Sequence, residues 1–162
     1  MFRILLGRRA KLVGVGSGSV RRVVAVKSDG PWLVLVNGTI WNVESRNSGV
    51  DTTFALSRLA LLPLLERPRD EVERLARQAL GPDDPDIAEA LQTVIQCGLS
   101  GPSEYWISRA LAWVTNDEVG LFAGLLREIA VGRSSFQATQ HAAKRLLKQN
   151  GHWPTIWRQP RS

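Results

Sequence analysis

Residues 101–132 read GPSEYWISRALAWVTNDEVGLFAGLLREIAVG and predict two helices joined by a tight turn. In the first helix, apolar residues recur at intervals of three and four and so share one face: Ile107, Ala110, Leu111 and Val114. Residues 115–118, Thr-Asn-Asp-Glu, match a capping box that starts a second helix. That helix has its own apolar stripe, formed by Val119, Phe122, Leu125, Leu126 and Ile129. We therefore expect this hairpin to form the centre of a helical domain.

Further helices are predicted on both sides of the hairpin, which makes about six over residues 51–150. Residues 54–65 are apolar nearly all round, as in a buried helix, and Pro63 should kink or end it. Helices should also cover 68–80, 83–98 (ending at Gly98) and 134–150. The starts of the helices at 86 and 118 resemble each other at a spacing of 32 residues, which is typical of a short HEAT-like α-solenoid. A compact helical bundle fits equally well.

Residues 1–50 predict a small antiparallel β-meander. Four runs rich in Val, Leu, Ile and Trp, at 8–15, 19–27, 31–36 and 39–44, are separated by turn residues. Asn37-Gly38 is the preferred pair for a two-residue type I′ hairpin. An SH3-like barrel is the alternative architecture. The polar segment 45–53 reads as a linker, so the fold class is α+β, with a β unit (1–50), a helical domain (51–150) and a tail (151–162).

Composition favours an ordinary globular protein. The chain has 162 residues, of which 44% are hydrophobic and 22% charged. With the single cysteine Cys97 it cannot form an internal disulfide, and no apolar run is long enough for a transmembrane helix. We expect a cytoplasmic protein without a membrane span.

Charge is segregated along the chain. Residues 1–50 contain eight basic and two acidic residues, a net +6. Residues 51–132 contain seven basic and thirteen acidic residues, a net −6, and residues 133–162 contain six basic and no acidic residues. Either the basic ends fold back on the acidic centre, or they present a basic surface to an acidic partner.

The sequence predicts no catalytic residue, no cofactor and no metal site. It has two histidines and no HExxH, CxxC, GxSxG or Walker pattern. The glycines at 14–18 lead into a strand pattern and read as a hairpin turn, not a phosphate loop. Asp83, Asp84 and Asp86 precede a helix, where cap chemistry explains them without a metal.

The β unit is a candidate nucleic-acid-binding surface, because basic side chains with exposed aromatics bind phosphates and stack on bases. The residues concerned are Arg8, Arg9, Lys11, Arg21, Arg22, Lys27, Trp32 and Trp41. The alternative for both tryptophans is that they pack the sheet against the helices, and we favour that alternative.

The tail, NGHWPTIWRQPRS at 150–162, carries aromatic and basic side chains typical of binding hot spots. The candidate protein-binding residues are Trp153, Ile156, Trp157 and Arg158. The tail either folds back into a groove of the helical domain or docks on another protein.

These observations predict a non-catalytic binding or adaptor protein that contacts another protein through its helical domain and aromatic tail. The alternative is a nucleic-acid-binding protein that uses the basic β unit. An enzyme without a recognisable motif is the third hypothesis.

Overall fold

The structure, a computed structural model, describes residues 19–45, 49–50, 58–132 and 136–154. It confirms the α+β class, with an N-terminal antiparallel sheet followed by helices. The sheet has the order β1-β2-β3-β4 of a meander. Its strands are β1 (Val20–Ala25), β2 (Trp32–Val36), β3 (Ile40–Ser45) and β4 (Gly49–Val50).

The turn between β2 and β3 forms where Asn37-Gly38 predicts it. Both residues have positive φ (53° and 71°), as a type I′ turn requires, and the N–H of Thr39 donates to the carbonyl of Val36 at 3.1 Å. The strands pair Val36 with Ile40, so the connection is one residue longer than predicted. The short β4 lies within the predicted linker, and the predicted strand at 8–15 lies outside the described residues.

The helices follow the predicted order with shifted ends. A 3₁₀ helix, Arg58–Glu66, stands where an α-helix over 54–65 was expected. Pro63 lies inside it and cannot donate the backbone hydrogen bond of a regular α-helix. Five α-helices follow: α1 (Arg69–Ala79), α2 (Ile87–Ser100), α3 (Glu104–Trp113), α4 (Val119–Val131) and α5 (Gln137–Gln149).

The predicted capping box is present between α3 and α4. Residues Asn116–Glu118 form a 3₁₀ turn in which the Thr115 side chain accepts from the backbone of Glu118. The Glu118 carboxylate accepts in return from the N–H of Thr115 at 3.3 Å. This reciprocal pair turns the chain into α4, as the sequence indicates.

Gly98 does not end α2, contrary to the prediction; the helix continues to Ser100. A Cβ atom at position 98 would lie 2.8 Å from Cβ of Ala110 and 2.9 Å from Cδ1 of Leu65. The glycine is therefore needed for close packing of α2 against α3 and the 3₁₀ helix, and it has no role as a cap.

Sheet and helices share one hydrophobic core, to which Leu33, Leu35, Leu91 and Leu126 all belong. Strand β1 packs against α1. Arg67, just before α1, strengthens this contact by donating from Nη1 to the carbonyl of Ala25 at 3.0 Å. The shared core holds β3 beside α2, with α4 on the other side of α2, which positions the groove described next.

Candidate protein-binding groove

Two neighbouring cavities, one on each side of α2, lie on a surface that spans β3, α2 and α4. The cavity between β3 and α2 has a volume of about 350 Å³, and that between α2 and α4 about 380 Å³. Glu89 and Thr93 of α2 line both cavities and so lie between them. We call the two cavities together the β3–α2–α4 groove. Its other lining residues include Ile40, Trp41, Asn42, Ala90, Gln92, Gln96, Leu121, Phe122, Gly124 and Leu125.

Each cavity is lined by an exposed large aliphatic side chain. Ile40 of β3 is 57% exposed, and Leu121 of α4 is 62% exposed. Single exposed aliphatic residues are common, but each of these two lines one of the two cavities. The groove therefore offers an apolar contact in each cavity.

Trp41 gives the groove a hydrogen-bond donor without an acceptor. Its side chain is buried, with 7% exposure, and it lines the cavity between β3 and α2. The indole Nε1 is buried and has no hydrogen-bond partner in the part of the chain that the structure describes. A buried polar group without a partner costs about 1–3 kcal/mol, so an incoming acceptor would be stabilised here.

The edge of β3 away from β2 is paired only in part by the residues that the structure describes. Strand β4 pairs only with Glu44 and Ser45. Among the described residues, no strand lies beside 40–43 on the side away from β2. An exposed strand edge can accept an extended peptide through main-chain hydrogen bonds.

Glu89 supplies a negative charge at the middle of the groove. The side chain is exposed, and its carboxylate has no ion-pair partner among the residues described. The neighbouring Asp86 behaves differently, because its side chain caps α2 by accepting from the N–H of Ala88 at 2.9 Å. That contact confirms cap chemistry for Asp86.

The basic residues of the β unit are partly neutralised. Arg21 forms an ion pair with Asp84. The pKa of Asp84 lies below its ordinary value because its carboxylate accepts from the N–H of Gly81 and from Arg21. Lys27 is exposed. Arg8, Arg9 and Lys11 lie outside the described residues.

Arg22 and Trp32 form a stacked pair next to acidic groups. The guanidinium carbon of Arg22 lies 5.5 Å from the ring centroid of the half-buried Trp32, and Nε of Arg22 is 2.6 Å from Oε2 of Glu44. A polar cavity of about 300 Å³ beside them is also lined by Asp29. Trp32 is thus already covered by a cation, and Trp41 packs in the core.

The first residues of the tail lie against the last two helices. The N–H groups of His152 and Trp153 both donate to the carbonyl of Leu147, at 2.8 and 3.2 Å. Nζ of Lys144 lies 5.0 Å from the ring centroid of the half-buried Trp153. The three remaining tail candidates, Ile156, Trp157 and Arg158, lie outside the described residues.

A second polar cluster, the Arg69–Glu118 cluster, is fully occupied by contacts within the protein. The guanidinium of Arg69 binds Glu118 through two nitrogens, with Nη2 2.9 Å from Oε1, and donates to the carbonyl of Trp113 at 2.6 Å. Its Nε donates to Glu73 at 2.8 Å. Burial alone would raise the pKa of Glu118, but hydrogen bonds from Arg69 and Thr115 outweigh that effect and lower it. This cluster joins α1 to the start of α4 and leaves no group for a ligand.

The groove residues Ile40, Glu89 and Leu121 were not among the sequence candidates. Leu121 gave a signal, because it lies off the apolar stripe of its helix and must therefore be exposed. The strand edge at residues 40–43 and the indole without an acceptor gave no signal in the sequence, since both depend on which elements become neighbours.

Within the described residues there is no group of three or more His, Cys, Asp or Glu side chains placed to hold a metal ion. Among the helices that the structure describes, none combines the length and the apolar character needed to cross a membrane.

Comparison of this chain with protein-family models, with curated proteins and with solved structures finds no match.

Proposed function

We propose that this protein is a non-catalytic binding module that holds an extended peptide segment of another protein in the β3–α2–α4 groove. The observation that carries the proposal is made at Trp41, a residue that lines this groove and whose buried indole N–H lacks an acceptor among the described residues. A main-chain carbonyl of a bound peptide would supply that acceptor.

The rest of the groove supports the same kind of ligand. Side chains alternating along an extended segment would meet Ile40 and the α2 surface. Glu89 favours a ligand with a Lys or Arg near its middle. The expected partner segment is therefore extended, apolar at its ends and basic near its centre.

The nucleic-acid alternative has weaker support. A base that stacked on Trp32 would have to displace Arg22, and phosphates would approach Glu44 and Asp29. Arg21 already pairs with Asp84. The exposed Lys27 is the described basic residue that best fits this alternative.

The proposal is tested by selecting peptides from a random display library on the full chain and resynthesising those that bind. Trp41→Phe removes the N–H and keeps an aromatic ring, so it should weaken the selected peptides about 2- to 10-fold, the value of one hydrogen bond. Leu121→Asp should weaken the binding of these peptides more than Trp41→Phe does. Glu128→Gln, on α4 outside the groove lining, is the control and should change nothing. If the affinity of the selected peptides is unchanged by both Trp41→Phe and Leu121→Asp, the groove is not their binding site.

The peptide-binding and nucleic-acid-binding hypotheses predict different effects of salt on affinity. Fluorescence anisotropy of a labelled single-stranded oligonucleotide should show no tight binding at low salt. Affinity that falls linearly on a log–log plot against salt, and that is lost in an Arg21→Glu, Arg22→Glu variant, would favour the nucleic-acid alternative.

A further inference from the structure

Another cavity, separate from the β3–α2–α4 groove, lies between α3 and α5. Its volume is about 350 Å³, and none of its lining residues lines either cavity of the groove. We call it the α3–α5 cavity. Small-molecule sites are typically clefts of about 300–1,000 Å³ with a mainly apolar lining and a few polar groups. The lining of the α3–α5 cavity has this character and includes Ser108, Leu111, Thr139, Ala142, Arg145 and Leu146.

Apolar side chains occupy the middle of the α3–α5 cavity. Leu111 of α3 is buried, and Ala142 and Leu146 of α5 are half-buried. Ala142 and Leu146 are about one helical turn apart and therefore share a face of α5. A ligand in contact with these three side chains would remove their remaining apolar surface from water. The cavity therefore favours a ligand with an apolar body.

Arg145 gives the outer side of the cavity a positive charge. Its side chain is exposed and forms no ion pair with another residue that the structure describes. Among the described residues, no acidic side chain lines this cavity. Helix α5 also contains Lys144 and Lys148 but no acidic residue. A guanidinium in these surroundings favours a carboxylate, which it can bind through two nitrogens.

Thr139 places a hydroxyl at the opposite end of the cavity. Only 6% of this residue is exposed, and its hydroxyl makes no hydrogen bond to another residue in the described part of the chain. Buried polar groups are normally hydrogen-bonded, so this hydroxyl favours a polar atom of a ligand. Thr139 precedes Arg145 by six positions in α5, which is about 9 Å along the helix axis. A ligand that contacts both residues must carry its polar groups at opposite ends.

We propose that the α3–α5 cavity binds a small monocarboxylate whose short apolar body ends in a hydrogen-bonding group. The carboxylate pairs with Arg145 at the exposed side, and the apolar body lies against Leu111, Ala142 and Leu146. The group at the far end forms a hydrogen bond with the hydroxyl of Thr139. This small-molecule site goes beyond the proposed peptide-binding function and does not depend on it.

The test is an NMR titration of the full chain with three probes of matched length. 8-Hydroxyoctanoate has both polar groups, octanoate lacks the hydroxyl, and 8-aminooctanol replaces the carboxylate by a cation. 8-Hydroxyoctanoate should bind with Kd of about 1 mM, as expected for a ligand of this size in an open cleft. It should shift the amide signals of Ser108 and Ala142 and leave that of Thr93, in the β3–α2–α4 groove, unchanged. Octanoate should bind about 2- to 10-fold more weakly, the value of one hydrogen bond.

Two substitutions assign the two ends of the ligand. Thr139→Val removes the hydroxyl with little change of shape, so 8-hydroxyoctanoate should lose its advantage over octanoate. Arg145→Gln should weaken both carboxylates about 2- to 5-fold, as for an exposed ion pair, without weakening 8-aminooctanol. Lys148→Gln is the matched control, because this cation lies on the same helix but does not line the cavity. It should change each affinity less than Arg145→Gln does.

The inference is overturned if none of the probes shifts the signals of the cavity residues. It is also overturned if 8-aminooctanol binds as tightly as 8-hydroxyoctanoate, since the site would then not select a carboxylate. An advantage of 8-hydroxyoctanoate over octanoate that survives Thr139→Val would exclude the proposed hydrogen bond. Equal effects of Arg145→Gln and Lys148→Gln would show that only the overall charge of α5 attracts the ligand.

Discussion

The Arg69–Glu118 cluster and the β3–α2–α4 groove contain similar polar side chains, but these side chains differ in whether they have partners within the described residues. In the cluster, the buried Glu118 receives two nitrogens of Arg69, and the indole of Trp113 donates to the carbonyl of Arg67 at 3.0 Å. In the groove, the carboxylate of Glu89 and the indole of Trp41 have no such contacts within the described residues. Polar groups with partners hold the helices together, whereas the exposed carboxylate of Glu89 faces solvent and the buried indole N–H of Trp41 has no partner among the described residues.

The largest effect is expected from Glu118→Ala. It leaves the guanidinium of Arg69 buried without its main partner, which should lower the free energy of unfolding by about 3 kcal/mol and Tm by roughly 6–12 °C. The control Glu89→Ala removes an exposed carboxylate from the first turn of α2 and should cost less than about 1 kcal/mol. Thermal denaturation of both variants measures the difference, and equal losses would remove the distinction between the two regions.

The next effect is expected at Gly98, inside α2. Gly98→Ala forces a methyl group against Ala110 and Leu65 and should destabilise the protein by about 1–3 kcal/mol. Urea denaturation measures this loss. A stability equal to that of the unmodified chain would show that α2 and α3 can separate slightly without cost.

Acid should weaken the Arg69–Glu118 cluster. Glu118 has an ordinary pKa of 4.5 and a lower one in the folded protein, so the unfolded chain takes up the proton first as the pH falls. Its contribution to stability is complete above pH 4.5 and is lost as the pH falls below that value through the lower folded pKa. Urea midpoints between pH 7 and 3 should fall less steeply in Glu118→Gln than in the unmodified chain. If the urea midpoints of the two proteins fall equally steeply with pH, the loss of stability in acid does not come from Glu118.

The smallest effect is expected from Gly124→Ala, the counterpart of Gly98→Ala on the groove side. Space is open at this position, and alanine favours a helix over glycine, so stability should rise by about 0.5–1 kcal/mol. The added methyl group projects where we place the ligand, so the affinity of display-selected peptides should fall while Tm rises. If the affinity for these peptides rises together with Tm, the ligand binds elsewhere.

The local features of the fold could be predicted because they depend on near neighbours. The turn at Asn37-Gly38, the capping box at Thr115 and Glu118, and the apolar stripe of α4 each follow from residues within a few positions of one another. Where local rules met tertiary packing, the predictions were wrong. Gly98 lies inside α2, and Arg58–Glu66 forms a 3₁₀ helix.

The sequence by itself determined the order of strands β1 to β3 and of the helices, the α+β class and the amphipathic faces, because periodicity and caps act over one or two turns. Only the tertiary structure decided which polar groups have partners. Arg69 meets Glu118 across 49 positions and Arg21 meets Asp84 across 63, so no local pattern could distinguish Glu118 from Glu89. The same holds for Trp41, which lines a cavity only because β3 and α2, far apart in the chain, face the same space.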